Sequence, residues 1–160
     1  MSILLSTLLI GIGATLVMDL WALLLKRLGI TTLNFAMVGR WAGHLFRGRF
    51  HHAAIARTEP VANELMWGWI IHYAVGVLFA ALLVAVMGQG WLRAPTVLPA
   101  LLFGIVSVIA PFCVMQPAMG AGFFASRTPT PGKNRLRSLM THGVFGLGLY
   151  LAALLLTCSP

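Results

Sequence analysis

The chain has 160 residues, 59% of them hydrophobic and only 9% charged, with a formal net charge of +8 and a mean hydropathy of +0.92. A soluble domain carries about 25% charged residues, so this composition excludes an ordinary soluble fold and makes lipid the expected solvent. It also excludes reading the positive charge as a nucleic-acid footprint. A basic binding face needs polar surface that this chain lacks, whereas basic residues in a membrane protein mark its cytoplasmic loops.

A helix rises 1.5 Å per residue, and about 20 apolar residues cross a bilayer. Four runs meet that length, at 2–25, 65–87, 96–118 and 138–157, with long loops at 26–63 and 119–137. The expected fold is all-α: one integral membrane four-helix transmembrane bundle over 1–160. The first run has no basic segment before it and is too long for a signal-peptide core, so it reads as an uncleaved span.

The first loop carries Lys26, Arg27, Arg40, Arg47, Arg49 and Arg57; the second carries only Arg93; the third carries Arg127, Lys133, Arg135 and Arg137. The positive-inside rule therefore puts the first and third loops in the cytoplasm and both termini outside.

Within the first span Asp19 is the sole charge, on a stripe with Gly11 and Thr15 at helical spacing. After it, the pattern from Asn34 is that of a short amphipathic helix. Val38, Trp41, Ala42 and Leu45 share one face, and Arg40, His44 and Arg47 lean to the other. Asn34 reads as its N-cap, with Leu33 stapling onto Val38. Such a helix is expected to lie in the membrane interface, with Arg40, His44, Arg47 and Arg49 as candidate headgroup or phosphate contacts. His51-His52 follows.

Glu59 and Pro60 suit the opening of the second helix. Trp67 and Trp69 suit an interfacial belt, and Gly68, His72 and Gly76 form a stripe that lets a neighbour approach. The third span contains Pro111 and Pro117, each expected to break helical geometry. Met115 to Gly122 reads as a broken helix end, followed by Phe123-Phe124 and a turn-rich linker, Thr128 to Gly132. The fourth span carries His142, Gly146 and Tyr150 on one face.

Helix rise places one polar side chain of each span in the same third of the membrane. Asp19 lies about 9 Å from the cytoplasmic boundary, His72 about 10 Å, His142 about 6 Å and Gln116 about 3 Å. These four form the candidate intramembrane site. A carboxylate at the bilayer centre costs about 2.5–3.5 kcal/mol or more, and such residues are functional candidates by default. An interhelical packing network is the competing explanation.

No catalytic signature is present: no H-E-x-x-H, nucleophile elbow, phosphate loop or dinucleotide fingerprint. Ser6, Ser107 and Ser126 have no Asp or His neighbour at suggestive helical spacing. Enzymatic activity is therefore left open, with the balance against it; no cofactor is expected, no catalytic residue is assigned and any metal is left open. Cys113 and Cys158 are placed towards opposite membrane faces, too far apart to pair, and no Cys/His spacing suggests zinc.

Gly13-Ala-Thr-x-x-Met-Asp19-Leu-Trp21, Gly39-Arg40-Trp41 with His44, Gly48-Arg49-Phe50, His72-Tyr73 and Val114-Met-Gln-Pro-Ala-Met-Gly-Ala-Gly122 together resemble domain of unknown function family 2938. The resemblance runs over almost the whole chain, and Met-Gln-Pro-Ala-Met-Gly is its most distinctive part. It implies a small bacterial multi-pass protein of the inner membrane and supplies no mechanism.

Three functions are compatible with these features. The first is a small transport or ion/proton-coupled protein centred on Asp19. The second is a non-catalytic interaction or accessory protein, with homo-oligomers formed through glycine-rich helix faces. The third is a membrane-embedded enzyme acting on a lipid or quinone. Beyond the lipid bilayer no partner is specified: no nucleic acid is expected, and a small-molecule or ion ligand is unidentified.

Overall fold

The computed structural model describes residues 2–158 and is 76% helix, with no strand among the described residues. Seven α-helices follow in order: α1 (Ile3–Arg27), α2 (Phe35–Leu45), α3 (Glu64–Met87), α4 (Gln89–Arg93), α5 (Val97–Ser107), α6 (Gln116–Ala118) and α7 (Pro131–Thr157). Single 3₁₀ turns occupy Ile55–Arg57 and Phe123–Ala125, and a π-helical segment occupies Pro111–Met115. Four helical stretches are long and apolar enough to cross a membrane: Ile3–Arg27, Glu64–Met87, Val97–Ala118 and Pro131–Thr157.

The chain divides into two compact units. The first contains the described parts of Met1–Thr32, Tyr73–Ser107 and Leu139–Pro160, and so holds most of the apolar helical length. Its core is Ile10, Ala14, Ala80, Leu83, Trp91, Ala100, Phe145, Leu149 and Ala153. Small residues set its packing. A Cβ on Gly104 would strike the backbone of Gly146, one on Gly11 would meet Val77 Cα at 2.5 Å, and one on Gly148 would meet Ala14 Cα at 2.9 Å. Lipid supplies no hydrophobic drive between helices, so close backbone approach and dispersion must hold them together. The outer faces are leucine and valine, as at Leu4 (83% exposed) and Val86 (76%).

The second unit comprises Leu33–His72 and Val108–Ser138. Here α2 crosses the first turns of α3 at two glycines. Gly39 lies against the Glu64 carbonyl and Gly68 against the Phe35 carbonyl, with no room for a Cβ at either. Residues 52–55 dock on the end of the third span, where His52 N–H donates to Ala118 O at 2.8 Å and Ile55 N–H to Met119 O at 3.1 Å. The last carbonyls of a helix lack intrahelical donors, and the loop supplies two.

Several boundaries differ from the sequence expectation. The fourth long helix begins at Pro131, inside the expected linker and seven residues before 138. Proline at a first helical position loses nothing, since that N–H has no intrahelical acceptor anyway. By contrast α3 starts at Glu64 rather than at Pro60, after a turn that puts Asn63 at φ 57°. In the third span α5 stops at Ser107, because Pro111 lacks an N–H and its ring crowds the carbonyl four residues earlier. The chain continues as the π segment. Helix α4 was not anticipated; it buries Trp91, whose indole N–H donates to Thr96 O at 3.2 Å.

Helix α2 forms where expected, and the Asn34 side chain accepts from Ala36 N–H at 3.0 Å. Its faces are partitioned differently. Arg40 and His44 are buried with Val38 and Ala42, while Leu45 and Leu33 are exposed. The basic side chains turn inwards because buried acceptors await them, as the next section describes.

Candidate functional site

Two of the four candidate polar residues belong to the first unit, and each has a hydroxyl partner. Tyr73 Oη donates to Asp19 Oδ2 at 2.8 Å, and both residues are half-buried. The pairing follows from the stripes. Thr15 packs on Gly76, where a Cβ would collide with its hydroxyl, and that hydroxyl returns to Gly11 O at 2.7 Å. In an antiparallel helix pair, one turn beyond Thr15 meets one turn before Gly76, which brings Asp19 to Tyr73. Tyr73 was not among the expected site residues, although this register would have found it.

His142 Nδ1 lies 2.7 Å from Ser107 Oγ. Sequence spacing gave no hint of this pair, because it joins two helices. Ser107 Oγ also donates to Gly104 O at 2.6 Å. Ser107 Oγ thus bridges the Gly104 carbonyl and the His142 imidazole, and the contact joins α5 to α7.

In the second unit, the His72 ring packs tilted against Phe35 (centroids 4.4 Å apart) and edge-on against Trp69 (5.8 Å). Gln116 follows the π segment, and its Oε1 is buried without a hydrogen-bond partner. The two remaining candidates thus sit in distinct settings, an aromatic cluster and the broken helix end.

The strongest polar cluster in the second unit is one the sequence assigned to headgroups. Arg40 Nε donates to Glu64 Oε2 and Nη2 to Glu64 Oε1, both at 2.8 Å. Its Nη1 lies 3.1 Å from Thr58 O, 3.3 Å from Ala56 O and 3.5 Å from Ile55 O. Glu64 Oε2 also accepts from Val61 N–H at 3.2 Å. One guanidinium thus closes the 3₁₀ turn and ties it to the start of α3. Hydrogen bonding to Glu64 holds Arg40 above its ordinary pKa, against the opposing effect of burial. His44 Nε2 contacts Glu59 O at 2.9 Å. Arg47 and Arg49 are exposed.

His52 is buried beside His44, with ring centroids 5.1 Å apart. Both His52 ring nitrogens and His44 Nδ1 lack hydrogen-bond partners. Burial pushes the His52 pKa below its ordinary 6.5, helped by His44, Arg49 and His51 and opposed by the Ala118 carbonyl.

A cleft of about 350 Å³ also lies in the second unit. The last turns of the third span form its floor, and His51, Ser126 and Arg127 contribute polar groups. Among the described residues no three His, Cys, Asp or Glu side chains gather as metal ligands. Cys113 and Cys158 are both free thiols.

The family model described as "Protein of unknown function (DUF2938)" matches residues 8–156. No curated protein and no solved structure matches the chain significantly.

Proposed function

This chain belongs to the DUF2938 family of proteins of unknown function, and from that premise we propose that it is a multi-pass protein of a bacterial cytoplasmic membrane, proton- or ion-coupled through Asp19 and Tyr73. The observation that carries this reading is the 2.8 Å hydrogen bond between a carboxylate and a phenol on two apolar helices long enough to cross a bilayer. An interhelical hydrogen bond in lipid contributes about 0.6 kcal/mol on average and about 1.7 at most. The insertion cost of a charged carboxylate is about 2.5–3.5 kcal/mol or more. As a packing device, then, the Tyr73 bond does not by itself justify an aspartate where an asparagine would serve. A carboxylate that is half-buried and held by a hydroxyl can take up and release a cation while its position stays fixed.

Orientation follows from the loops. Ten Lys and Arg residues fall in the first and third loops and one in the second, which supports both termini being extracytoplasmic.

The test is flux in proteoliposomes holding a pH-sensitive dye, driven in turn by a proton gradient and by a potassium diffusion potential. Wild-type protein is expected to collapse the gradient faster than empty liposomes. Asp19→Asn, which keeps the shape and loses the charge, should abolish the difference. Wild-type vesicles indistinguishable from empty ones under both driving forces would sink the reading.

A further inference from the structure

The cleft in the second unit straddles a boundary. Val114 and Pro117 belong to the last turns of a helix apolar and long enough to cross a membrane, and they form one wall. His51 and Arg127, from the two basic loops, form another, and Ser126 adds a hydroxyl. Phe123 also lines the cleft and is 61% exposed. A molecule filling this space meets apolar side chains together with the Arg127 guanidinium and the polar groups of His51 and Ser126. That is the profile of an amphiphile with an anionic head.

The charge balance specifies the head further. No carboxylate lines the cleft. The second unit carries eight Lys and Arg residues against Glu59 and Glu64, and Glu64 is already occupied by Arg40. The turn between two lining residues, Phe123 and Ser126, is also built at a conformational cost. Phe124 and Ala125 adopt φ of 51° and 57°, a region uncommon for residues with a Cβ. The Phe124 carbonyl accepts from Arg135 Nε at 2.7 Å, which pins that turn. Strained backbone held by its surroundings clusters at ligand clamps.

We propose that this cleft binds the phosphate headgroup of an anionic phospholipid, with Arg127 and His51 on the phosphate, Ser126 donating to it, and an acyl chain running along Val114 and Phe123. The site rests on the membrane location proposed above but is independent of the Asp19 chemistry, since it uses no residue of the first unit.

The experiment is native mass spectrometry of the full-length protein in mild detergent, titrated separately with phosphatidylglycerol, phosphatidylcholine and inorganic phosphate. Phosphatidylglycerol is expected to be retained at lower concentration than phosphatidylcholine, and millimolar phosphate should not displace it. Arg127→Gln should weaken phosphatidylglycerol retention about five- to tenfold, the scale of one basic contact at an anionic surface. Arg93→Gln, in the first unit, should leave it unchanged. Because Arg127 is exposed, its replacement is not expected to unfold the protein. Val114→Trp gives an independent reading by filling the apolar part, and should weaken both lipids. Equal retention of the two lipids, displacement by free phosphate, or matching effects of Arg127→Gln and Arg93→Gln would each overturn the proposal. Loss of gradient collapse in Asp19→Asn with lipid retention intact would separate the two sites.

Discussion

Arg40 and Glu64 face each other as a two-point fork, with both N···O distances at 2.8 Å and side chains 9% and 19% exposed. Paired buried charges are close to neutral in net stability, but removing one partner strands the other and costs about 3–5 kcal/mol. Glu64→Gln and Arg40→Met are each expected to fall near the lower end of that range, because Glu64 keeps some access to solvent. The double variant should lose less than the sum of the two. Thermal unfolding of the four proteins in one detergent gives the coupling; strict additivity would show that the fork is not an energetic unit.

The glycine crossings predict where size is forbidden. Gly68→Ala places a Cβ against the Phe35 carbonyl, and Gly104→Ala places one against the Gly146 backbone. Both neighbours are backbone and cannot rotate away. Each substitution should cost about 1–3 kcal/mol through overpacking, read as a fall in melting temperature. Gly143→Ala is the control, since nothing lies within 4 Å of the added carbon. Equal melting temperatures for all three variants would contradict the close approach.

His52 predicts a pH dependence of the second unit. Its pKa is below 6.5 in the folded chain, chiefly through burial. Between that lowered value and 6.5 the unfolded chain binds more protons than the folded one, so stability rises with pH across the window. It is full above about 6.5, declines as pH falls, and levels off once the folded form is also protonated. Hydrogen exchange of residues 50–56 should therefore accelerate as pH drops from 7 to 5, after correction for intrinsic rates. His52→Gln should flatten that trend, and an unchanged trend in the variant would assign it to another histidine.

Orientation can be checked with a thiol already present. Cys158 is exposed at the end of α7. In a Cys113→Ser background, a membrane-impermeant maleimide should label Cys158 from outside intact spheroplasts. Labelling only after permeabilisation would reverse the proposed topology.

How much of this was legible depends on the range of the interaction. The four apolar helices were readable because span length is a local property of composition. Asn34 as a cap was readable because the acceptor and its donor are two residues apart. The inward turn of Arg40 was not, since its partners, Glu64 and the carbonyls of 55–58, lie beyond the helix that carries it. On a helical wheel a basic residue reads as solvent-facing until its acceptors are known. Asp19 was singled out because a lone charge in an apolar run is conspicuous. Tyr73 and Ser107 were not assigned to the site because hydroxyls in such runs are ordinary and their partners lie on other helices. The start of α7 was misplaced because Pro-rich sequence signals a turn and a helix N-terminus equally well.

The docking of His52 and Ile55 on Ala118 and Met119 has a consequence for biosynthesis. The two partners are separated in the chain by the whole of α3, α4 and α5. Emerging from the ribosome, the segment around His52 finds no acceptor until the third apolar stretch has been made and has ended at its prolines. Until then the buried histidines and the docking backbone stand undocked, and such long-range closure is slow relative to local helix formation. Three helices, α3, α4 and α5, thus have to be made before the docking partner exists. The first loop can reach its final form only after the third span is complete.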